Sequence, residues 1–502
     1  MRVINLIFFL LATEAAFAQS HFEELDKYFQ GFADNREING NVLIADHGRT
    51  VYQRSFGYAD LEKHRPNDRN SEFQLASISK TFTAVAILQL QEHGKLDIDD
   101  IYSKYFPDFP YPVVTIRQML SHTSGLPDLE IFERLMVDRP EKVFTNRDII
   151  GTMAAAKVPL KFQPGEKWSY CNLNFDLLAL LVEKLTNVRF ENYLERNIFR
   201  PSRMTHTYVK TALIHPENGR ELAYNYDLPN LFSTHKVKVI DTFSNVLFRA
   251  EYHQQGFLGD ANIYSTTNDL RKYDSALYSG RLLRFSTLEL AYTPSKLNDG
   301  RDNIVNIGGM GDASYGLGWF IFKDTSSGRI VWHTGGMPGA LTILLRNLTK
   351  RQMVVVLDNS HGEGIYRMGL SALNILNQKP SLPIRRSLAR IYATKLLDQG
   401  FEAAAGFLNE KRADTANYTF SENEMNNLAY DLLAAGRRPS ALLTFKLNIL
   451  LFPTSDNAYE SYGEALELTG NSQEAKKMYQ KCLEINAKNE YAKKALEHLG
   501  EQ

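Results

Sequence analysis

Residues 74–80 read Q-L-A-S-I-S-K and run directly into T-F-T-A-V-A-I-L-Q-L at 81–90. The composition from Ser79 to Glu92 predicts a helix that stops at Gly94, and its apolar run marks it as buried. Ser77 and Lys80 are three residues apart where that helix begins, so their side chains share a face. A serine hydroxyl is a poor nucleophile until a base takes its proton. The helix start adds unpaired amides and the positive end of the dipole, both suited to developing negative charge. A lysine titrates near 10.4, so as a base it needs burial or neighbouring cations. The apolar run is expected to supply the burial. The pattern alone is common: residues 233–236 (S-T-H-K) repeat it, but no apolar helix follows them.

Two other stretches carry matching chemistry. W-S-Y-C-N (168–172) contains the chain's one Y-x-N, after Pro164-Gly165 and at the mouth of a second helix. Tyr170 there is suited to a general base or proton relay if cations lower its pKa. The amide of Asn172 suits the orientation of Lys80 and of a substrate carbonyl. V-W-H-T-G-G (331–336) reads as a strand running into glycines, which lets a substrate approach its edge and a backbone amide face an oxyanion. His333 taken alone reads equally well as a surface strand histidine. A second H-x-G, at His498, lies in a polar tail.

The surrounding pattern predicts an α+β fold. An amphipathic helix over His21–Ala33 precedes two strands that meet at His47-Gly48. T-I-R-Q (115–118) has capping-box form, and apolar residues recur at helical spacing over Cys171–Leu185. From Tyr315, four stretches read as strands: 315–323, 329–336, 342–347 and 352–359. Helix returns over Ile365–Leu376. Strands at both ends with helices between imply one antiparallel sheet flanked by helices. Residues 205–260 are polar, aromatic and without clear period.

Residues 377–386 (N-Q-K-P-S-L-P-I-R-R) read as a linker, and 387–502 as an all-α tail with a 34-residue period. Ala429/Gly463, Ala441/Ala475 and Phe445/Tyr479 fall at that offset, which resembles a tetratricopeptide repeat. Such repeats usually present a groove to a peptide or protein partner, so the tail reads equally as a site for a protein partner and as a structural buttress.

The N-terminus reads as a signal peptide over 1–18, with Arg2, an apolar stretch too short to span a bilayer, and A-F-A before Gln19. An exported protein, periplasmic or secreted, is expected, with its main α+β region at 19–376. A net charge of −1 gives no reason to expect nucleic acid or an anionic membrane surface as partner. No later run is long and apolar enough for a membrane helix. Two cysteines, Cys171 and Cys482, lie in different predicted domains, so a disulfide is not expected.

S-I-S-K, Y-C-N and H-T-G-G, in this order, resemble the serine β-lactamase and penicillin-binding protein superfamily. Within it they resemble the branch of class C β-lactamases and D-alanyl-D-alanine carboxypeptidases, which includes esterases and D-aminopeptidases. L-S-H-T-S-G-L-P (120–127), G-D-A-N-I-Y-S-T-T-N-D-L (259–270) and Y-G-L-G-W (315–319) look like further segments of that branch, and the resemblance covers about 22–376. It implies Ser77 as the acylated nucleophile, with Lys80 and Tyr170 sharing the acid and base roles. Asn172 would orient them, and His333, Thr334, Gly335 and Gly336 would line the substrate strand. Amides of Ser77 and Gly336 would form the oxyanion hole, with no metal or cofactor. His333 stands where class C β-lactamases carry lysine, and Asp260-Ala261-Asn262 where the branch has small residues and glycine. The expected substrate is a D-amino-acid peptide, a β-lactam or a small ester. The alternative is a non-catalytic cell-wall peptide binder whose tail recruits a partner.

Overall fold

The computed structural model describes residues 22–211, 220–239 and 256–500. The signal-peptide reading at 1–18 lies outside them. Helix α1 spans 22–34. β1 (Gly40–Asp46) and β2 (Arg49–Phe56) form the expected hairpin. Helices α2 (Ser79–Glu92), α3 (Asn172–Thr186) and α4 (Thr267–Tyr278) follow. Then come β3 (Val305–Asn306), β4 (Asp312–Tyr315), β5 (Phe320–Phe322), β6 (Ile330–Met337), β7 (Ala340–Asn347), β8 (Gln352–Asp358) and α5 (Ile365–Leu376).

The strands make one antiparallel sheet in the order β3-β4-β5-β6-β7-β8-β1-β2. The N-terminal hairpin closes onto the last strand, Gly40 opposite Asp358 and Ala45 opposite Met353, so the two ends of the region meet in mid-sheet. β8 is buried at every position because helices cover both faces there. The predicted strand at 315–323 is two strands. Gly318 donates its N–H to Leu120 O at 3.0 Å, and the turn over 316–319 reverses the chain between β4 and β5. The T-x-x-Q capping box forms at Thr115 and Gln118, as its spacing predicts.

α2 is the axis of the helical layer. Every residue from Ser79 to Leu90 is buried, which its all-round apolar composition requires. Phe82 stacks on Tyr273 of α4 at 4.1 Å, and α3 packs alongside. Burial of one such aromatic contributes about 2–3 kcal/mol.

The chain divides into two compact units. One runs to Asp227 and resumes over Lys238–Leu382; the other joins Leu228–Val237 to the chain from Pro383. In the second, the helices Glu422–Ala434 and Arg438–Leu451 recur as Asp456–Leu468 and Ser472–Ile485, every bound displaced by 34 residues. Ala429, Gly463, Ala441, Ala475, Phe445 and Tyr479 are all buried between them. The assignment of 228–237 to this unit is not legible in the sequence. It rests on Leu231, whose N–H reaches Asp431 at 2.8 Å, and on Arg437 over the Phe232 ring. Among the described residues, no helix is long and apolar enough to cross a membrane.

Candidate active site

Ser77 sits in a short 3-10 turn, Ala76–Ile78, that feeds straight into α2. Ala76 carries φ +47, a left-handed conformation that a residue with a Cβ adopts at a cost, and it turns the next side chain out of the core. Ser77 is the one residue of 71–90 that is not buried. Thr342 of β7 donates its hydroxyl to Leu75 O at 2.7 Å, which ties the turn to the sheet.

Lys80 is fully buried one turn on. Its ammonium donates to Ser77 Oγ at 3.1 Å, Asn172 Oδ1 at 2.9 Å and the Asp260 carbonyl at 3.2 Å. Three acceptors around Nζ match the three protons of the charged form. It also lies 4.9 Å from the centre of the Tyr170 ring. The expectation that burial would depress this lysine is not met. Desolvation pulls its pKa down, but the hydrogen bond with Tyr170 and the charge of Asp260 outweigh it and hold the pKa above the usual lysine value. Tyr170 interacts with both Ser77 and Lys80. Burial raises its pKa and the Lys80 charge only partly offsets this, so at neutral pH the residue is a phenol.

Asn172 opens α3 and is oriented by a residue the sequence did not single out. Asp128 accepts the backbone N–H of Asn172 at 2.9 Å and of Leu173 at 3.0 Å, capping the helix from another segment. It also accepts from Asn172 Nδ2 at 3.2 Å, which turns the amide oxygen toward Lys80. Gly259 holds the loop before Asp260 against α3. Its φ is +125, and a Cβ there would lie 2.3 Å from Phe175 O.

His333 and Gly335 share one face of β6, and Thr334 and Gly336 the other. His333 is buried and neutral. Its Nδ1–H donates to Thr334 O at 2.6 Å, and Nε2 accepts from Tyr315 at 3.0 Å. Burial first, then Lys80 repulsion, push its pKa down to about 3, against the pull of the Thr334 carbonyl. Both ring nitrogens are therefore spent inside the protein, and this position offers a substrate neither a charge nor a free donor. Gly335 also has a packing role. A Cβ there would lie 2.2 Å from Leu75 O and 2.3 Å from Thr342 Oγ1, so the glycine admits the nucleophile turn itself. Tyr366 of α5 donates to Gly335 O at 3.0 Å and braces the same strand. Thr334 is buried.

This geometry brings Ser77, Lys80, Tyr170 and Asn172 into one cluster, with β6 beside the turn. The Beta-lactamase family profile matches residues 25–371. The chain belongs to the Beta-lactamase family. It is 33% identical over 366 residues to penicillin-binding protein 4* of Bacillus subtilis (strain 168), covering 72% of this chain and 77% of that protein. Among solved structures, a penicillin-binding protein from Bacillus halodurans is similar with TM-score 0.56 at 27% identity, over 70% of this chain and 98% of that one. An octameric penicillin-binding protein homologue from Pyrococcus abyssi is similar with TM-score 0.59 at 26% identity, over 72% of this chain and 78% of that one.

Within this Beta-lactamase-family site, sequence reasoning also missed two buried groups. His122 packs on the Tyr170 ring at 4.3 Å, and its Nδ1 accepts the Cys171 N–H at 3.1 Å, which aligns the phenol. Asp176 of α3 is fully buried near Lys80. Its signal was a single carboxylate in the apolar run F-D-L-L-A-L-L-V (175–182).

Proposed function

We propose that this protein is an exported serine hydrolase that cleaves an amide or ester bond through an acyl-enzyme on Ser77. The observation that carries the reading is the Ser77 hydroxyl, 3.1 Å from the Lys80 amine and on the one partly exposed residue of an otherwise buried stretch. In this reading Ser77 Oγ attacks the substrate carbonyl while its proton passes into the Lys80–Tyr170 pair. That pair returns the proton to the leaving group, and water then releases the acyl group. Backbone amides at Ser77 and Gly336 are the oxyanion donors in this scheme.

Peptidase, carboxypeptidase or esterase action on D-amino-acid peptides or small esters ranks above β-lactam hydrolysis. The neutral, internally bonded His333 supports this order, because β6 then lacks a fixed cation at the position where a substrate carboxylate would seek one. Export rests on residues 1–18. The helical tail is read as tetratricopeptide-like and as a site for a protein partner, on the strength of its 34-residue recurrence.

The test is covalent labelling of the full mature chain with a fluorophosphonate, followed by turnover of D-aminoacyl peptides, p-nitrophenyl esters and nitrocefin. Labelling that maps to Ser77 and vanishes in Ser77→Ala supports the reading. Well-folded protein that takes no label would instead support a non-catalytic peptide binder. Nitrocefin turnover with kcat/KM within about 10⁴–10⁸ M⁻¹s⁻¹ would reverse the substrate order. Loss of a co-purifying partner on deletion of 387–502, with labelling kept, is the outcome expected for the tail.

A further inference from the structure

Behind Lys80, on the side away from Ser77, lie two buried carboxyl groups with an unusual bonding deficit. Asp176 is fully buried, and among the described residues neither of its carboxylate oxygens finds a donor. Asp260 Oδ1 is in the same position, while its Oδ2 lies 3.9 Å from Lys80 Nζ. Three buried carboxylate oxygens without donors would be costly if both groups were ionised. The loop that carries Asp260 packs on the turn of α3 that carries Asp176, where Gly259 meets Phe175 O, so the two carboxyl groups interact; two carboxylates cannot hydrogen-bond to each other without a proton between them. One proton between them cuts the deficit from three oxygens to one.

We propose that Asp176 and Asp260 act as one carboxyl pair, Asp176 protonated and donating to Asp260. The pair's single negative charge is the counter-ion that sets the pH at which the Ser77–Lys80–Tyr170 cluster becomes nucleophilic. Both are positioning residues, and their role rests on the hydrolase reading above. The neighbourhood fixes which proton arrangement is stable. Lys80 on α2 faces the pair, as does Asp128, whose charge opposes a second ionisation in the pair. Tyr170 feels the charge of Asp260, and His122 and His333, both neutral, feel that of Lys80. Burial and the neighbouring carboxylate keep the Asp176 proton in place far above the usual carboxyl range. Asp260 pushes the pKa of both Lys80 and Tyr170 upward, so its effect on the cluster has one sign whichever of them takes the Ser77 proton.

The experiment measures the rate of fluorophosphonate labelling of Ser77 against pH in the full chain, for wild type, Asp260→Asn and Asp176→Asn. Removing a charge at this range moves a partner pKa by about one to three units, so Asp260→Asn should carry the acid limb down by that much. An asparagine at 176 still donates an N–H to Asp260, so Asp176→Asn should keep the limb near its wild-type position. An unmoved limb in Asp260→Asn overturns the inference, and so does an Asp176→Asn limb displaced as far as that of Asp260→Asn. Should Asp260→Asn fail to fold, infrared spectra of wild type and Asp176→Asn decide. A protonated-carboxyl stretch that persists at neutral pH and disappears with Asp176→Asn supports the pair, and its absence overturns it. Wild-type protein that never labels at Ser77 defeats the hydrolase reading instead, and the infrared comparison still tests the pair.

Discussion

Replacing His333 with glutamine should flatten the acid side of this protein's stability curve. In the fold, His333 Nδ1–H is committed to Thr334 O, and Nε2 accepts from the Tyr315 hydroxyl. Protonation would break the second bond and place a charge in a buried site that already holds the Lys80 ammonium. The folded pKa is accordingly about 3, against an ordinary value of 6.5. Between those values the unfolded chain binds a proton that the native state refuses. The stabilising contribution is therefore complete above about pH 6.5 and is lost as pH falls toward 3. The slope for one such group is about 1.4 kcal/mol per pH unit, so a move from pH 7 to pH 5 costs about 2 kcal/mol. His122, buried and shifted in the same direction, adds a second loss of the same sign. Urea unfolding followed by tryptophan fluorescence reads the relevant unit, because Trp168, Trp319 and Trp332 all lie in it. Wild type should lose about 2 kcal/mol more between pH 7 and pH 5 than His333→Gln does, whatever the variant loses at pH 7 itself. Equal losses in the two proteins would refute the claim that His333 is held neutral by the fold.

Gly335→Ala should drive the Ser77 turn off the sheet, since its methyl would lie 2.2 Å from Leu75 O; ester turnover should fall about 100-fold and stability by about 1–3 kcal/mol. Asp274→Asn removes the partner of the fully buried Arg346, which now meets it at 2.6 Å; urea unfolding at neutral pH should show a loss of about 3 kcal/mol or more. Asp128→Ala uncaps α3 and frees the Asn172 amide; it should cost about 1 kcal/mol in a melt while Ser77 labelling slows more than that loss of folded protein explains.

What the sequence disclosed was what local chemistry encodes. α2 was readable because its apolar composition is continuous, the β1–β2 hairpin because its turn sits between two alternating runs, and α5 because its period matches a helix. The break between β4 and β5 was hidden because the contact that fixes the turn, to Leu120, is nearly two hundred residues away in the chain. The same limit governs the site. Ser77, Lys80, Tyr170 and Asn172 were legible because each sits at a helix mouth in a recognisable pattern. Asp128 was not, because a helix cap supplied by a distant loop leaves no local mark on the helix it serves. The packing role of Gly335 was not legible, since the atom its missing side chain admits belongs to Leu75. His333 looked like a substrate contact because its burial depends on Tyr315 and Phe320 folding over it.

The charge of Lys80 shows why burial cannot be read alone. A lysine at the mouth of an apolar helix invites the inference that desolvation strips its proton. That argument counts one group, whereas the interior responds to the sum. Lys80 with one negative charge shared by Asp176 and Asp260 is a neutral cluster; Lys80 stripped of its proton beside that same charge is a bare buried anion, which is costly in low dielectric. The ammonium is thus the less expensive state so long as a carboxylate remains beside it, and its three acceptors complete the case. A serine beside such a lysine is held and polarised before it is deprotonated. In the proposed reaction the proton moves as substrate arrives, and the acids behind the lysine set the pH at which that step becomes accessible.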